Sequence, residues 1–237
     1  MGRTAVHIPD GFIDAPTSIA FGVAAVAGLG YCLRRGSAEL DERAAPLAGL
    51  TAAFVFAGQM LNFPVAAGTS GHLLGGVLAA VLVGPWIGAT CLAVVLLLQA
   101  LFFADGGLTA LGLSTVNMSF VGALGGYLVY RGVLRVLPQR RASVPIAAAV
   151  AAALSVPLAA ASFVLQFALG GTVEDLSLTA VLAAMVGVHV LIGIGEAVIT
   201  FLTVGLVMSS RPDLVHGARG VLRRERAAET AAVRSTA

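Results

Sequence analysis

Long apolar stretches alternate with short polar ones along the whole chain. The apolar runs cover about 17–33, 46–62, 73–104, 113–134, 145–169 and 178–209. A helix of about 20 residues crosses the hydrocarbon of a bilayer, so runs of this length predict membrane-spanning helices. Two of them exceed one crossing. The stretch 73–104 contains Gly84-Pro85, where proline removes a ladder donor and clashes with the preceding turn, so it is expected to divide there into a short span and a full one. The stretch 178–209 contains Gly187, Gly193 and Gly195 but no proline, and reads as one tilted helix running past the membrane. The pattern therefore predicts an all-α, polytopic membrane protein of about seven transmembrane helices.

Arginine placement tests this count, because short cytoplasmic loops collect Arg and exported ones do not. Arg34, Arg35 and Arg43 fill the first loop, 63–72 has none, and the third connection is only the Gly84-Pro85 break. The 105–112 loop again has none, whereas Arg131, Arg135, Arg140 and Arg141 surround the fifth connection. The sixth, 170–177, carries only Glu174 and Asp175, and the tail holds Arg211 through Arg234. Seven crossings with the N-terminus outside and the C-terminus in the cytoplasm satisfy every loop, leaving Arg3 alone on the other side. Three parts follow: an extracytoplasmic segment over 1–16, a helical domain over 17–209 and a cytoplasmic tail over 210–237. The tail mixes Arg and Glu with Ala and reads as short amphipathic or disordered sequence.

Composition agrees. Of the 237 residues 58% are hydrophobic and only 11% charged, against roughly 25% charged in ordinary soluble domains. The net charge of +2 comes with no lysine at all, which argues against a nucleic-acid-binding stripe and against a P-loop, whose lysine lies over the phosphates. Cys32 and Cys91 fall inside apolar runs and read as small apolar packers. Small residues at four-residue spacing, Ala20, Ala24 and Gly28, then Gly49, Ala53 and Ala57, could dock a membrane partner but read first as internal helix packing. Asp10 and Asp14 stand where a signal peptide would be positive, and Pro9-Asp10-Gly11 is a turn signal.

Chemistry narrows to four histidines. His216 belongs to the tail. His189 precedes Glu196 by seven residues, so the two share a helix face; they read either as a hydrogen-bonded packing pair between helices or as an intramembrane functional pair used in coupling. His7 and His72 lie in polar, turn-rich segments that the topology brings to the same outer face. His72 sits in the glycine-dense Gly68-Thr69-Ser70-Gly71-His72-Leu73-Leu74-Gly75-Gly76, irregular backbone of the kind tolerated at membrane depth where it lines a cavity. Two neutral imidazoles at one face are a ligand set for Ni2+, Co2+ or Zn2+. No HExxH pair is present, which disfavours a membrane metalloprotease.

Four ordered motifs carry a resemblance: His7-Ile8-Pro9-Asp10-Gly11-Phe12, Gly68-Thr69-Ser70-Gly71-His72, Gln99-Ala100-Leu101-Phe102-Phe103-Ala104-Asp105-Gly106-Gly107-Leu108-Thr109, and His189-Val190-Leu191-Ile192-Gly193-Ile194-Gly195-Glu196. Together they resemble the CbiM/NikM family, the substrate-binding S component of cobalt and nickel energy-coupling-factor transporters, over about residues 6 to 220. The resemblance implies a multi-pass protein of a bacterial or archaeal cell membrane. It also implies Co2+ or Ni2+ as transported substrate, no resident cofactor, and no catalysis by this chain. The implied partners are a transmembrane coupling protein, two ATPase subunits and a small accessory membrane subunit. The alternative is a self-sufficient divalent-metal channel or permease.

The metal ligands that carry over are His7 and His72, with Thr69, Ser70, Ser114, Asn117 and Asp10 as candidates for groups that orient the imidazoles or balance charge. The resemblance also implies that the 105–107 turn closes near the site. One departure stands out. In the family the histidine is second, so that the terminal amine, its own backbone nitrogen and its imidazole chelate one ion, and the second imidazole completes a square of four nitrogens suited to Ni2+ or Cu2+. Here Met1 through Val6 precede His7. Because valine is encoded by GTG, which also initiates bacterial translation, the Val6-His7 junction raises the expectation of a start at position 6. Whether Ni2+ or Co2+ is preferred is left open by these residues.

Overall fold

The computed structural model describes residues 7–39, 44–61, 63–64, 70–173 and 177–236. Helix α1 (Ala15–Ser37) is capped by Asp14, whose carboxylate accepts from the Thr17 amide at 2.9 Å, and opens on a proline; both devices satisfy or remove orphan N–H groups of a first turn. Helix α2 (Ala44–Gln59) follows. Phe63–Pro64 (β1) then pairs antiparallel with Ser70–Gly71 (β2). Helix α3 (Gly76–Val83) is buried throughout and ends at Gly84, where α4 (Pro85–Phe102) begins, as Gly84-Pro85 predicted. Helix α5 (Leu111–Thr115) continues through ten residues of wider π winding, Val116–Gly125, into α6 (Gly126–Val136). Helices α7 (Ser143–Gly170) and α8 (Leu178–Ser210) pack along their lengths. The single unbroken α8 matches the sequence expectation.

Among the described residues five stretches are long and apolar enough to cross a membrane: α1, α4, the continuous Leu111–Val136 run, α7 and α8; α2 is apolar but shorter. Large apolar side chains cover the outside, among them Val26, Leu50, Leu191 and Leu206, as lipid-facing surfaces require. The protein is a multi-pass helical membrane protein. Short α3 is the core element, its Val77 and Val81 buried against Tyr130, Val144, Ala147 and Ala151. Gly76 at its start lies so close to Gly122 and Ala123 that a Cβ there would stand 2.8 Å from the Gly122 backbone.

Of the two readings of the tail, the structure has the amphipathic one: two short 3-10 turns are followed by helix α9 (Arg219–Thr236), anchored by buried Val215, Ala218, Val221 and Leu222. Two other expectations change. The small-residue stripes do not serve internal packing: Ala20, Ala24, Gly49, Ala53 and Ala57 are exposed, and only Gly28 is covered, by Phe120. His216 is not a free tail residue; its ring lies against Gly84 and, at 6.2 Å between centroids, Tyr127. Cys32 and Cys91 are buried free thiols, as read.

Candidate metal site

The N-terminal segment before α1 is tied down on both sides. Gly107 donates to the Ile8 carbonyl at 2.9 Å, and Thr109 donates to the Asp10 carboxylate from its amide (2.8 Å) and its hydroxyl (2.6 Å). From the other side, Asp14 donates to the Gly170 carbonyl and Thr172 to that of Phe12. Phe12 stacks against Phe163 and Phe167, while Ile8 and Ile13 join the same apolar cluster. His7 is thereby delivered under the 105–107 turn. Gly106 has φ +96°, and a Cβ on it would stand 2.8 Å from Cβ of His7; only glycine allows both the left-handed backbone and that approach.

His72 arrives from the opposite chain direction. The backbone after it is held by two buried side chains: Gln59 of α2 donates to the Leu74 carbonyl at 2.7 Å, and Glu196 of α8 accepts from the amides of Leu74 (2.6 Å) and Gly75 (2.9 Å). The two imidazoles meet with ring centroids 4.5 Å apart and planes at 69°, both buried. A first-row metal stands about 2 Å from a ring nitrogen, so rings at this separation can share one ion.

The hydrogen bonds choose the tautomers. A carbonyl only accepts, so Nδ1 of His72, 2.9 Å from the Leu73 carbonyl, carries the proton and Nε2 keeps its lone pair. Nε2 of His7 lies 3.1 Å from Oε1 of Gln99; it is the donor, and Nδ1 keeps its lone pair. Each ring is thus oriented through one nitrogen and left basic at the other, the usual arrangement of metal-ligating histidines. Burial lowers the pKa of His7 from 6.5 to about 4 against a smaller opposing effect of Gln99. Burial, followed by the charge of His7, lowers that of His72 to about 3. Both imidazoles are neutral at physiological pH.

The orienting groups differ from those expected. Asn117 donates to Gln166 at 2.9 Å and not to an imidazole. Ser114 is buried on α5 without a hydrogen bond to either ring among the described residues. Asp10 is the clasp to Thr109, and those bonds hold its pKa below the usual carboxylate value. Thr69 lies outside the described residues, as do Met1 through Val6 and the side chain of Ser70. Glu196 does not pair with His189, whose Nδ1 bonds the Met185 carbonyl of its own helix at 2.6 Å. It holds the His72 loop instead. The imidazole-orienting role falls to Gln99, completely buried. Its signal in the sequence was a lone amide inside an apolar span, which must find a partner. Among the described residues no group of three or more His, Cys, Asp or Glu side chains gathers for a metal, so the site rests on the imidazole pair.

The molecule is therefore a polytopic helical membrane protein with a buried pair of neutral imidazoles. The family described as cobalt uptake substrate-specific transmembrane region matches residues 7–214, and this chain belongs to that family, CbiM. It is 39% identical over 210 residues to a provisionally named fused nickel transport protein NikMN of Archaeoglobus fulgidus, covering 89% of this chain and 68% of that one. To the cobalt transport protein CbiM of Sorangium cellulosum it is 37% identical over 191 residues, 78% of this chain and 82% of the relative. A crystal structure of a truncated transition metal transporter superposes with a TM-score of 0.75 at 32% identity, over 86% of this chain and 98% of that one.

Proposed function

We propose that this chain is the ion-capturing subunit of an ATP-driven cobalt or nickel importer, taking Co2+ or Ni2+ between Nδ1 of His7 and Nε2 of His72. The observation that carries the reading is the imidazole pair: two buried rings 4.5 Å apart, each with one nitrogen already hydrogen-bonded. The names of the relatives, nickel and cobalt transport proteins, support the cargo. The family pattern fills the remaining positions of a square with the backbone nitrogen of His7 and an amine just before it. Seven crossings, counting α2 and the α3–α4 pair, with the N-terminus outside, put the site on the side from which ions arrive and the arginine-rich connections in the cytoplasm. With no lysine for a P-loop, energy comes from ATPase subunits through a transmembrane coupling protein.

The test is metal content and affinity of the purified protein, compared with His7→Ala and His72→Ala. Each substitution is expected to weaken Ni2+ and Co2+ binding by at least about 100-fold; unchanged affinity in both would remove the site. Liposomes containing this chain alone should not accumulate the ion. Transport there would point to the permease reading.

A further inference from the structure

A second cavity opens far from the imidazole pair, past the opposite end of α3. It measures about 770 Å³ and lies between the last turns of α6 and the first turns of α9. Six of the chain's arginines line it: Arg131, Arg135, Arg219, Arg223, Arg224 and Arg226. Among the described residues the lining carries one carboxylate, Asp213, which already bonds Arg211 at 2.8 Å. The ion pairs found among the described residues, Arg141–Glu225 and Arg211–Asp213, use none of the six. So much positive charge around one space calls for an anion.

The cavity is a built feature. Tyr130 donates to the Gly217 carbonyl at 3.0 Å, fixing the turn before α9 to α6. Buried Val221 and Leu222 seat the first turns of α9, and Arg141–Glu225 ties that helix to the start of the α7 region. The spacing is helical on both walls. Arg131 and Arg135 are four residues apart on α6, and Arg219, Arg223 and Arg226 recur on one face of α9.

The apolar surroundings say which anion. Leu128, 69% exposed, precedes Arg131 by three residues and Arg135 by seven, so it lies on the same face of α6 as both. Tyr127, partly exposed, stands beside them, as tyrosines do at the headgroup level of membranes. A molecule lying along this face would be apolar at Leu128 and anionic at Arg131 and Arg135. We infer that the cavity between α6 and α9 is a binding site for the phosphate headgroup of an anionic phospholipid, its acyl chain lying on the Leu128 face of α6. Basic pockets at the ends of spanning helices recognise such headgroups through charge and bidentate guanidinium contacts.

The experiment titrates the full-length protein in detergent with dioleoylphosphatidylglycerol or dioleoylphosphatidylcholine and counts bound lipid by native mass spectrometry. The wild type is expected to prefer phosphatidylglycerol by at least about 10-fold. The triple variant Arg131→Gln, Arg135→Gln, Arg223→Gln should lose on the order of 100-fold in that affinity. A charge-matched control, Arg34→Gln, Arg140→Gln, Arg234→Gln, should keep it. Ni2+ binding at the other end reports whether the variants are folded; should the triple variant fail there, Arg135→Gln alone is expected to lose about 5-fold. Retained preference in the cavity variant, or equal loss in the control, overturns the proposal. Displacement of the lipid by millimolar inorganic phosphate would make this a site for free anions and overturn the lipid assignment. A cavity variant that binds lipid normally but no longer assembles with its ATPase-linked partners would give the arginines to a protein interface, overturning it too.

Discussion

Glu196, deep in α8, accepts a hydrogen bond from the backbone amide of Leu74 at 2.6 Å, across 122 residues of chain. Its other oxygen takes the amide of Gly75. One buried side chain therefore holds the backbone that presents His72, and the last spanning helix is joined to the candidate metal site.

Replacing it by glutamine tests this join. In Glu196→Gln the amide keeps one acceptor and turns an NH2 group toward a backbone donor. A buried amide is left unpaired, which costs about 1–3 kcal/mol. Thermal unfolding in detergent should show a lower Tm, and metal affinity should fall with it because the His72 loop loosens. An unchanged Tm would mean the loop is held by Gln59 alone.

Gln99→Leu separates orientation from stability. The side chain is completely buried, and its Nε2 has no partner among the described residues, so leucine recovers apolar contact while His7 loses its acceptor. Stability is expected to change by less than about 1 kcal/mol, while Ni2+ or Co2+ affinity falls about 10- to 100-fold. Calorimetric titration of the metal beside a melting curve measures both.

The turn over His7 makes a different prediction. Gly106→Ala adds a Cβ where φ is +96° and where Cβ of His7 would be 2.8 Å away, so it should cost about 1–3 kcal/mol and displace the imidazole. Gly11→Ala is the contrast. Its φ is +77° but nothing among the described residues stands within 4 Å of the added atom, so it should lower Tm while leaving metal affinity nearly intact. Equal loss of metal binding in both variants would deny the Gly106–His7 contact any role.

Metal-free protein should lose stability as acid is added, starting well above the pKa values of the site. Folding lowers His7 from 6.5 to about 4 and His72 to about 3, so below pH 6.5 the unfolded chain binds more protons than the folded one. Stability then rises with pH in that window. It should be flat above about pH 7 and fall between about 6.5 and 4. His72→Ala should shallow the slope, as melting curves across pH would show. In the same range the two ring NMR signals should stay those of neutral imidazole down to about pH 5.

How much of this was legible in advance follows from the range of the forces involved. Each spanning helix answers to the bilayer within its own twenty or so residues, so the hydropathy pattern alone located α1, α2, α4, α7 and α8, and Gly84-Pro85 marked the break after α3. The two histidines were visible because polar rings are scarce in such a chain. Their surroundings were not. Ser114 and Asn117 were plausible orienting groups by residue type, yet Asn117 turns to Gln166.

Hydropathy and turn signals along the chain were enough to find the spanning helices, the glycine turns and the pair of imidazoles, because local propensity and burial act on neighbours along the chain. It took the packed helices to show that Gln99 orients His7 from 92 residues away, that Glu196 holds the His72 loop, and that α6 and α9 gather six arginines around one cavity. Those partnerships are settled by which helices pack together: a buried polar group takes the partner that packing brings within reach, and no local pattern names it.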